Sequence, residues 1–225
     1  MVVTLMGPPG SGKGTQAVRI AERYSVPHVS TGDTLRAAVK AGSPLGRQVA
    51  ETLASGDLVS DALITDLVRE RLGAPDTAPG CILDGFPRTA AQAEALDTML
   101  DPAALIVVLL VAADEEIVRR LAKRRICDAC AITQSVSDDT DPDRDACPYC
   151  GGNLIRRPDD HPETVRRRLA TYASFATPVI EFYRGRRTFG TIDGLESPDT
   201  VTAALCAHID RARNAPPGPH GARDD

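Results

Sequence analysis

Between a short apolar run, Val2-Val3-Thr4-Leu5-Met6, and a helix-like stretch from Thr15 to Arg23 stand nine residues: Gly7-Pro8-Pro9-Gly10-Ser11-Gly12-Lys13-Gly14-Thr15. Strand, glycine loop and helix in this order form the setting of a phosphate-binding P-loop. Glycines let the backbone curl until successive N–H groups point inward at phosphate oxygens. The following helix adds its positive N-terminal end, and Lys13 adds a full charge. A chain carrying this element is expected to continue as an α/β fold.

The remaining pattern agrees. Candidate strands are Val2–Met6, Pro27–Val29, Gly80–Asp84, Ala104–Val111 and Thr188–Asp193. Their continuous hydrophobicity suits parallel strands covered on both faces. Helices are expected between them. Ser30 can cap a helix opening Thr31-Gly32-Asp33, Ser60 precedes Asp61–Leu72, and Asp114 opens a helix running towards Arg124. Pro162 and Pro198 stand in the first turns of two more, the former a long helix reaching about Arg184. The alternation predicts a doubly wound five-stranded parallel sheet with helices on both faces.

Two stretches interrupt it. Residues 30–59 hold two helical segments where one crossover helix would serve, and residues 123–160 hold two cysteine pairs and no core-like helix. The predicted division is a core of 1–29, 60–122 and 161–213, an insertion of 30–59, a lid of 123–160, and a disordered tail of 214–225 rich in proline and glycine.

Cys127-x-x-Cys130 and Cys147-x-x-Cys150, sixteen residues apart, have the spacing of a four-thiolate zinc site. Four protein ligands leave no open position, so such a zinc would be structural. The acidic stretch between the pairs, with Asp138, Asp139, Asp141, Asp143 and Asp145, lacks the glutamate and glycine of a calcium loop and is expected to be a solvated hairpin tip. Cys81 and Cys206, in apolar surroundings, are expected in the core.

Composition narrows the function classes. With 225 residues, 42% hydrophobic and 25% charged, the chain is long enough for one domain with insertions. A net charge of −5 argues against a nucleic-acid-binding zinc ribbon, the binding-module alternative. A regulatory GTPase would need an Asn-Lys-x-Asp base reader, and neither asparagine, Asn153 or Asn214, stands in one. The longest apolar run, 103–113, is too short for a membrane span. Met1 runs directly into the first strand without a signal peptide, so a cytoplasmic setting is expected.

Arginines suit phosphoryl transfer because their planar forks hold phosphate oxygens bidentately and stay charged. They recur here as Thr31-Gly32-Asp33-Thr34-Leu35-Arg36, Asp84-Gly85-Phe86-Pro87-Arg88-Thr89, Lys123-Arg124-Arg125, and Arg157 to Arg168. Together with Gly14 between Lys13 and Thr15, these motifs resemble bacterial-type adenylate kinases with the long, zinc-bearing lid, a branch of the nucleoside monophosphate kinases. The likeness covers about residues 1–212.

The resemblance implies ATP + AMP ⇌ 2 ADP, with Mg²⁺ on ATP, zinc in the lid and a monomeric enzyme. Gly10, Ser11, Gly12, Lys13, Gly14 and Thr15 would cradle ATP phosphates; Arg120, Thr133, Gln134 and Glu196 would lie around the rest of ATP. Thr31, Arg36, Gly85, Phe86, Pro87, Arg88 and Gln92 would hold AMP, Gln92 reading the adenine edge and the backbone of Asp57, Leu58 and Val59 closing over the base. Arg124, Arg157 and Arg168 would clamp phosphates, the last two also on the AMP side. Asp84 would orient waters around Mg²⁺, assisted by Asp159. UMP or CMP is the alternative acceptor. Two departures stand out: Asp57 replaces a frequent lysine, and Thr133-Gln134-Ser135 replaces a threonine-aromatic-histidine pattern.

Overall fold

A computed structural model describes residues 1–101, 104–136 and 146–214. The acidic aspartates at 138–145 and nearly all of the expected tail lie outside these residues.

Five parallel strands, β1 (Val2–Met6), β2 (His28–Ser30), β3 (Cys81–Asp84), β4 (Leu105–Val111) and, later in the chain, β8 (Phe189–Asp193), form one sheet in the order β2-β3-β1-β4-β8. Each lies within a residue of its expected bounds at either end. Alternate residues serve opposite faces. Val2 and Met6 of β1 join Leu83, Val107 and Leu109 in one apolar cluster, while Val3 and Leu5 join Ile82, Ile106, Val108 and Leu110 in another. Both faces are covered, which is why the strands read as unbroken apolar runs.

The second cluster is closed by α1 (Lys13–Tyr24) and α8 (Pro198–Asn214), through Ala17, Ile20, Leu205 and Ile209. The first is closed by α2 (Thr31–Lys40), α3 (Pro44–Ser55), α4 (Asp61–Leu72), α5 (Ala90–Met99) and α7 (Pro162–Arg184). As expected, Ser30 caps α2, its Oγ accepting from the Asp33 N–H at 3.2 Å. Ser60 precedes α4 without a side-chain cap bond.

After α6 (Asp114–Ala122) the chain forms a second, antiparallel sheet of β5 (Arg124–Cys127), β6 (Thr133–Ser135) and β7 (Leu154–Ile155), in the order β6-β5-β7. Cys127 ends β5, and Cys130, Cys147 and Cys150 lie in the loops beside these strands. Lys40 at the end of α2 donates to the Asp128 carbonyl at 3.1 Å, so the 30–59 stretch and the cysteine-bearing stretch meet.

Candidate active site

Strand register assembles the site. Leu5 on β1 and Ser30 on β2 both pair with Asp84, so three strands end level with one another, at the carboxyl edge where the first loop begins. Gly7 turns that loop at φ 140°, and a Cβ on it would stand 2.3 Å from the Leu110 carbonyl oxygen. Only glycine fits so close a backbone approach.

Lys13 folds back over the loop, its Nζ donating to the carbonyls of Gly7 and Pro8, both at 2.7 Å. It keeps some accessible surface within the site, yet protein encloses it. This desolvation pushes the ammonium down to about 7, with Asp84 opposing the shift and Arg88, Arg168 and Arg124 adding to it. The lysine therefore sits in a field that an anion would relieve.

A cavity of about 1010 Å³ opens over the loop. Gly10 through Thr15 line it, as do Asp84, Gly85, Pro87, Arg36, Arg88, Arg120, Arg124, Arg157 and Arg168. Thr133, Gln134 and Glu196 line it too. A smaller cavity of about 60 Å³ is bounded by Thr31, Asp57, Leu58, Val59 and Gln92, and shares Arg36, Gly85, Arg88 and Arg168 with the larger one. Phe86 differs from the other expected site residues: its side chain is buried in the core, and its carbonyl accepts from Thr4 Oγ1 at 2.6 Å.

Acidic partners hold the arginines. Arg124 grips Asp160 with two nitrogens, Nε at 2.6 Å from Oδ2 and Nη2 on Oδ1. Arg168 Nη1 lies 3.3 Å from Asp160 Oδ1 and 3.1 Å from Asp159 Oδ2. Burial raises the Asp159 carboxyl, but Arg168, Arg36, Arg124 and Arg157 outweigh it and hold the group below its usual range. Arg36 pairs with Asp33, and Arg157 stands 3.8 Å from the same carboxylate.

Arg157 is less well compensated. Burial, then Arg36 and Arg124, lower it to about 10, and its Nε is one of two buried side-chain nitrogens without a partner among the described residues. Its Nη2 donates to Thr133 Oγ1 at 3.2 Å. Arg120 donates to the carbonyls of Gly194 (2.6 Å) and Leu195 (2.9 Å), bracing the loop that carries Glu196.

Reasoning from sequence missed Asp160 as the clamp for Arg124, and Asp61 as a partner of Gln92. Gln92 Nε2 donates to Asp61 Oδ1 at 2.8 Å. It also missed His28, whose Nε2 lies 3.6 Å from Asp84 Oδ2. None has a local motif that would expose its role.

The cysteine cluster fits a tetrahedral ion. The four Sγ atoms of Cys127, Cys130, Cys147 and Cys150 lie within 4.8 Å of one another, with Cys127–Cys150 at 3.4 Å and Cys130–Cys147 at 3.7 Å. Zinc–sulfur bonds of about 2.3 Å in a tetrahedron set sulfurs about 3.8 Å apart. A Cβ on Gly152 would stand 2.8 Å from Cys127 Sγ, so the second knuckle can close over the first only with glycine there. None of the six cysteines is in a disulfide, and Cys81 and Cys206 are buried as expected. Among the described residues, Asp84 is the carboxylate whose charge acts on Lys13, and Thr15 lies in the same cavity wall. That donor set suits a magnesium ion brought in on phosphates and keeping most of its waters.

A family model described as Adenylate kinase matches residues 5–188. An adenylate kinase of Thermodesulfovibrio yellowstonii is 40% identical over 214 residues, covering 94% of this chain and all of the relative. One from Archaeoglobus fulgidus is 40% identical over 217 residues, covering 95% of this chain and all of its own length. One from Trichlorobacter lovleyi is 44% identical over 212 residues, 93% of this chain and 99% of that protein.

Proposed function

We infer the chemistry of this site from a plain premise: the chain belongs to the adenylate kinase family. It is a phosphotransferase with a phosphate group as acceptor, and its reaction is the reversible, Mg²⁺-dependent ATP + AMP ⇌ 2 ADP. One observation carries the reading. A lysine and several arginines from separate elements converge on one cavity between the glycine loop and the Gly85–Gln92 segment, with room for two anionic substrates.

In the division of labour we propose, the backbone of Gly10 to Thr15 cradles the ATP phosphates, and Lys13 leaves its loop carbonyls for the transferred group. Arg36 and Arg88 hold the AMP phosphate. Arg124, Arg157 and Arg168 close on the migrating phosphoryl, where charge spread over its oxygens needs fixed donors. No protein nucleophile is required, since an AMP phosphate oxygen attacks directly and an ADP oxygen leaves. Asp84 would hold the waters of a Mg²⁺ carried in on ATP, which would supply charge neutralisation on the phosphates. Arg120, Thr133, Gln134 and Glu196 flank the ATP base and ribose. Thr31, Gln92 and the Asp57–Val59 backbone surround the adenine of AMP.

The 30–59 insertion and the 123–160 lid are assigned as the moving parts around the core of 1–29, 60–122 and 161–213. Their contact through Lys40 and Asp128 supports a closed arrangement that excludes water, which would otherwise take the phosphoryl group. Zinc in the four-cysteine site would stiffen the lid, taking no part in the chemistry. One chain supplies both cavities, which supports a monomer. Among the described residues no helix is long and apolar enough to cross a membrane, and six thiols without disulfides suit a reducing, cytoplasmic setting.

A coupled assay offering ATP with AMP, UMP, CMP and GMP in turn tests the acceptor. AMP should be preferred by at least about a hundredfold, the scale on which unpaired polar groups reject a wrong base. Faster turnover with UMP or CMP would reassign it.

A further inference from the structure

Gln92 is 2% exposed and borders the smaller cavity, and both ends of its amide are engaged. The Arg88 backbone N–H donates to Oε1 at 2.7 Å, and Nε2 donates to Asp61 Oδ1 at 2.8 Å. The other Asp61 oxygen accepts from Thr89 Oγ1 at 2.8 Å. Thr89 in turn caps α5, accepting from the Gln92 N–H at 3.2 Å. Asp61 lies in the first turn of α4, where a helix N-terminus favours a carboxylate.

An ionised carboxylate only accepts hydrogen bonds, and a backbone N–H only donates them. Turning the Gln92 amide over would set its oxygen against Asp61 and its NH₂ against the Arg88 N–H. Both bonds would become repulsions. The neighbours therefore dictate the amide's orientation, and one N–H of Nε2 and one lone pair of Oε1 are left for a ligand.

We propose that Asp61 is a specificity-determining positioning residue, which selects a 6-aminopurine over a 6-oxopurine acceptor by locking the Gln92 amide. A 6-aminopurine presents N1 as acceptor and its N6 amine as donor, matching what remains on Nε2 and Oε1. A 6-oxopurine in the same pose presents the inverse, an N1–H donor and an O6 acceptor. An unrestrained glutamine serves either edge by flipping its amide. Asp61 removes that freedom without touching the nucleotide. The inference rests on Gln92 facing the acceptor base, as proposed above.

The test compares kcat/KM for AMP and IMP, with ATP as donor, in the wild type, Asp61→Asn and Gln92→Ala. Asparagine keeps the shape of aspartate but can present either a donor or an acceptor to Gln92. The AMP-over-IMP ratio should fall by about tenfold or more in Asp61→Asn, the scale of a hydrogen bond to a charged group. Lost stability alone lowers both rates together and leaves the ratio in place. If Asp61→Asn does not fold, Asp61→Ser carries the same test. In Gln92→Ala the ratio should approach one. A ratio unchanged in the Asp61 variant but collapsed in Gln92→Ala overturns the lock alone. A ratio unchanged in both, or a wild type indifferent to AMP and IMP, overturns the assignment of Gln92 to the base and the lock with it.

Discussion

The guanidinium of Arg124 and the carboxylate of Asp160 meet fork to fork, with Nε 2.6 Å from Oδ2 and the Asp160 side chain wholly shielded from solvent. Arg168 shares the same carboxylate. One buried anion thus holds two cations at the wall of a cavity built for phosphates.

Removing that anion strips Arg124 of its carboxylate fork and, among the described residues, leaves Arg168 with Asp159 alone. Asp160→Ala should cost about 3 kcal/mol, a fall of about 10 °C in Tm for a chain of this size. Tripolyphosphate should restore more of that loss in the variant than it adds to the wild type, because its oxygens replace the missing charge. Thermal melts with and without the anion check this; equal shifts in both proteins would contradict it.

In the proposed division of labour Lys13 meets the transferred group, where charge develops. Lys13→Met should lower kcat by about a hundredfold or more, while changing Tm little, since among the described residues the lysine bonds only to its own loop, at the Gly7 and Pro8 carbonyls and the Ser11 hydroxyl, and lies in an unfavourable field. Steady-state rates alongside melts separate the two effects. Turnover within tenfold of wild type would contradict the role.

The same lysine predicts a proton linkage. Lowered to about 7, Lys13 is largely neutral at pH 8. A polyphosphate at the loop favours the charged form, so binding should take up close to one proton at pH 8, fading as the pH drops below 7. For folding the sign is the reverse of a salt-bridged lysine. The unfolded chain binds the extra proton between about pH 7 and 10.5, so this group's penalty eases as pH rises through that window. Calorimetry in buffers of differing ionisation enthalpy reads the uptake, which should vanish in Lys13→Met.

The four-cysteine cluster is assigned a structural role. Cys147→Ser, or removal of metal with a strong chelator, should lower Tm by about 5 °C or more and leave turnover at low temperature largely intact. Metal analysis of the purified parent should find one zinc per chain. An unchanged Tm together with a metal-free parent would contradict the assignment.

How far these features could be read in advance follows from what sets each one. The parallel strands were legible to within a residue because burial on both faces writes itself as continuous apolar runs, and the glycine loop because its backbone has so few alternatives. The small sheet of β5, β6 and β7 was not legible. Its strands are two to four residues long and half exposed, and they are arranged around cysteine knuckles without an apolar period. Helix α5 had no singled-out start, since its cap, Thr89, is the last residue of the Asp84–Thr89 motif and reads as part of it. Asp160 and Asp61 were out of reach for a further reason. Their partners lie 36 and 31 residues away, and only the folded chain brings them together.

The most direct test of the central claim, that a phosphoryl group passes straight from one nucleotide to another in this cavity, needs a single substrate. Incubated with Mg²⁺ and ADP alone, the purified chain should produce ATP and AMP in equal amounts, with no inorganic phosphate. Absence of both nucleotides, or release of phosphate in their place, would contradict it.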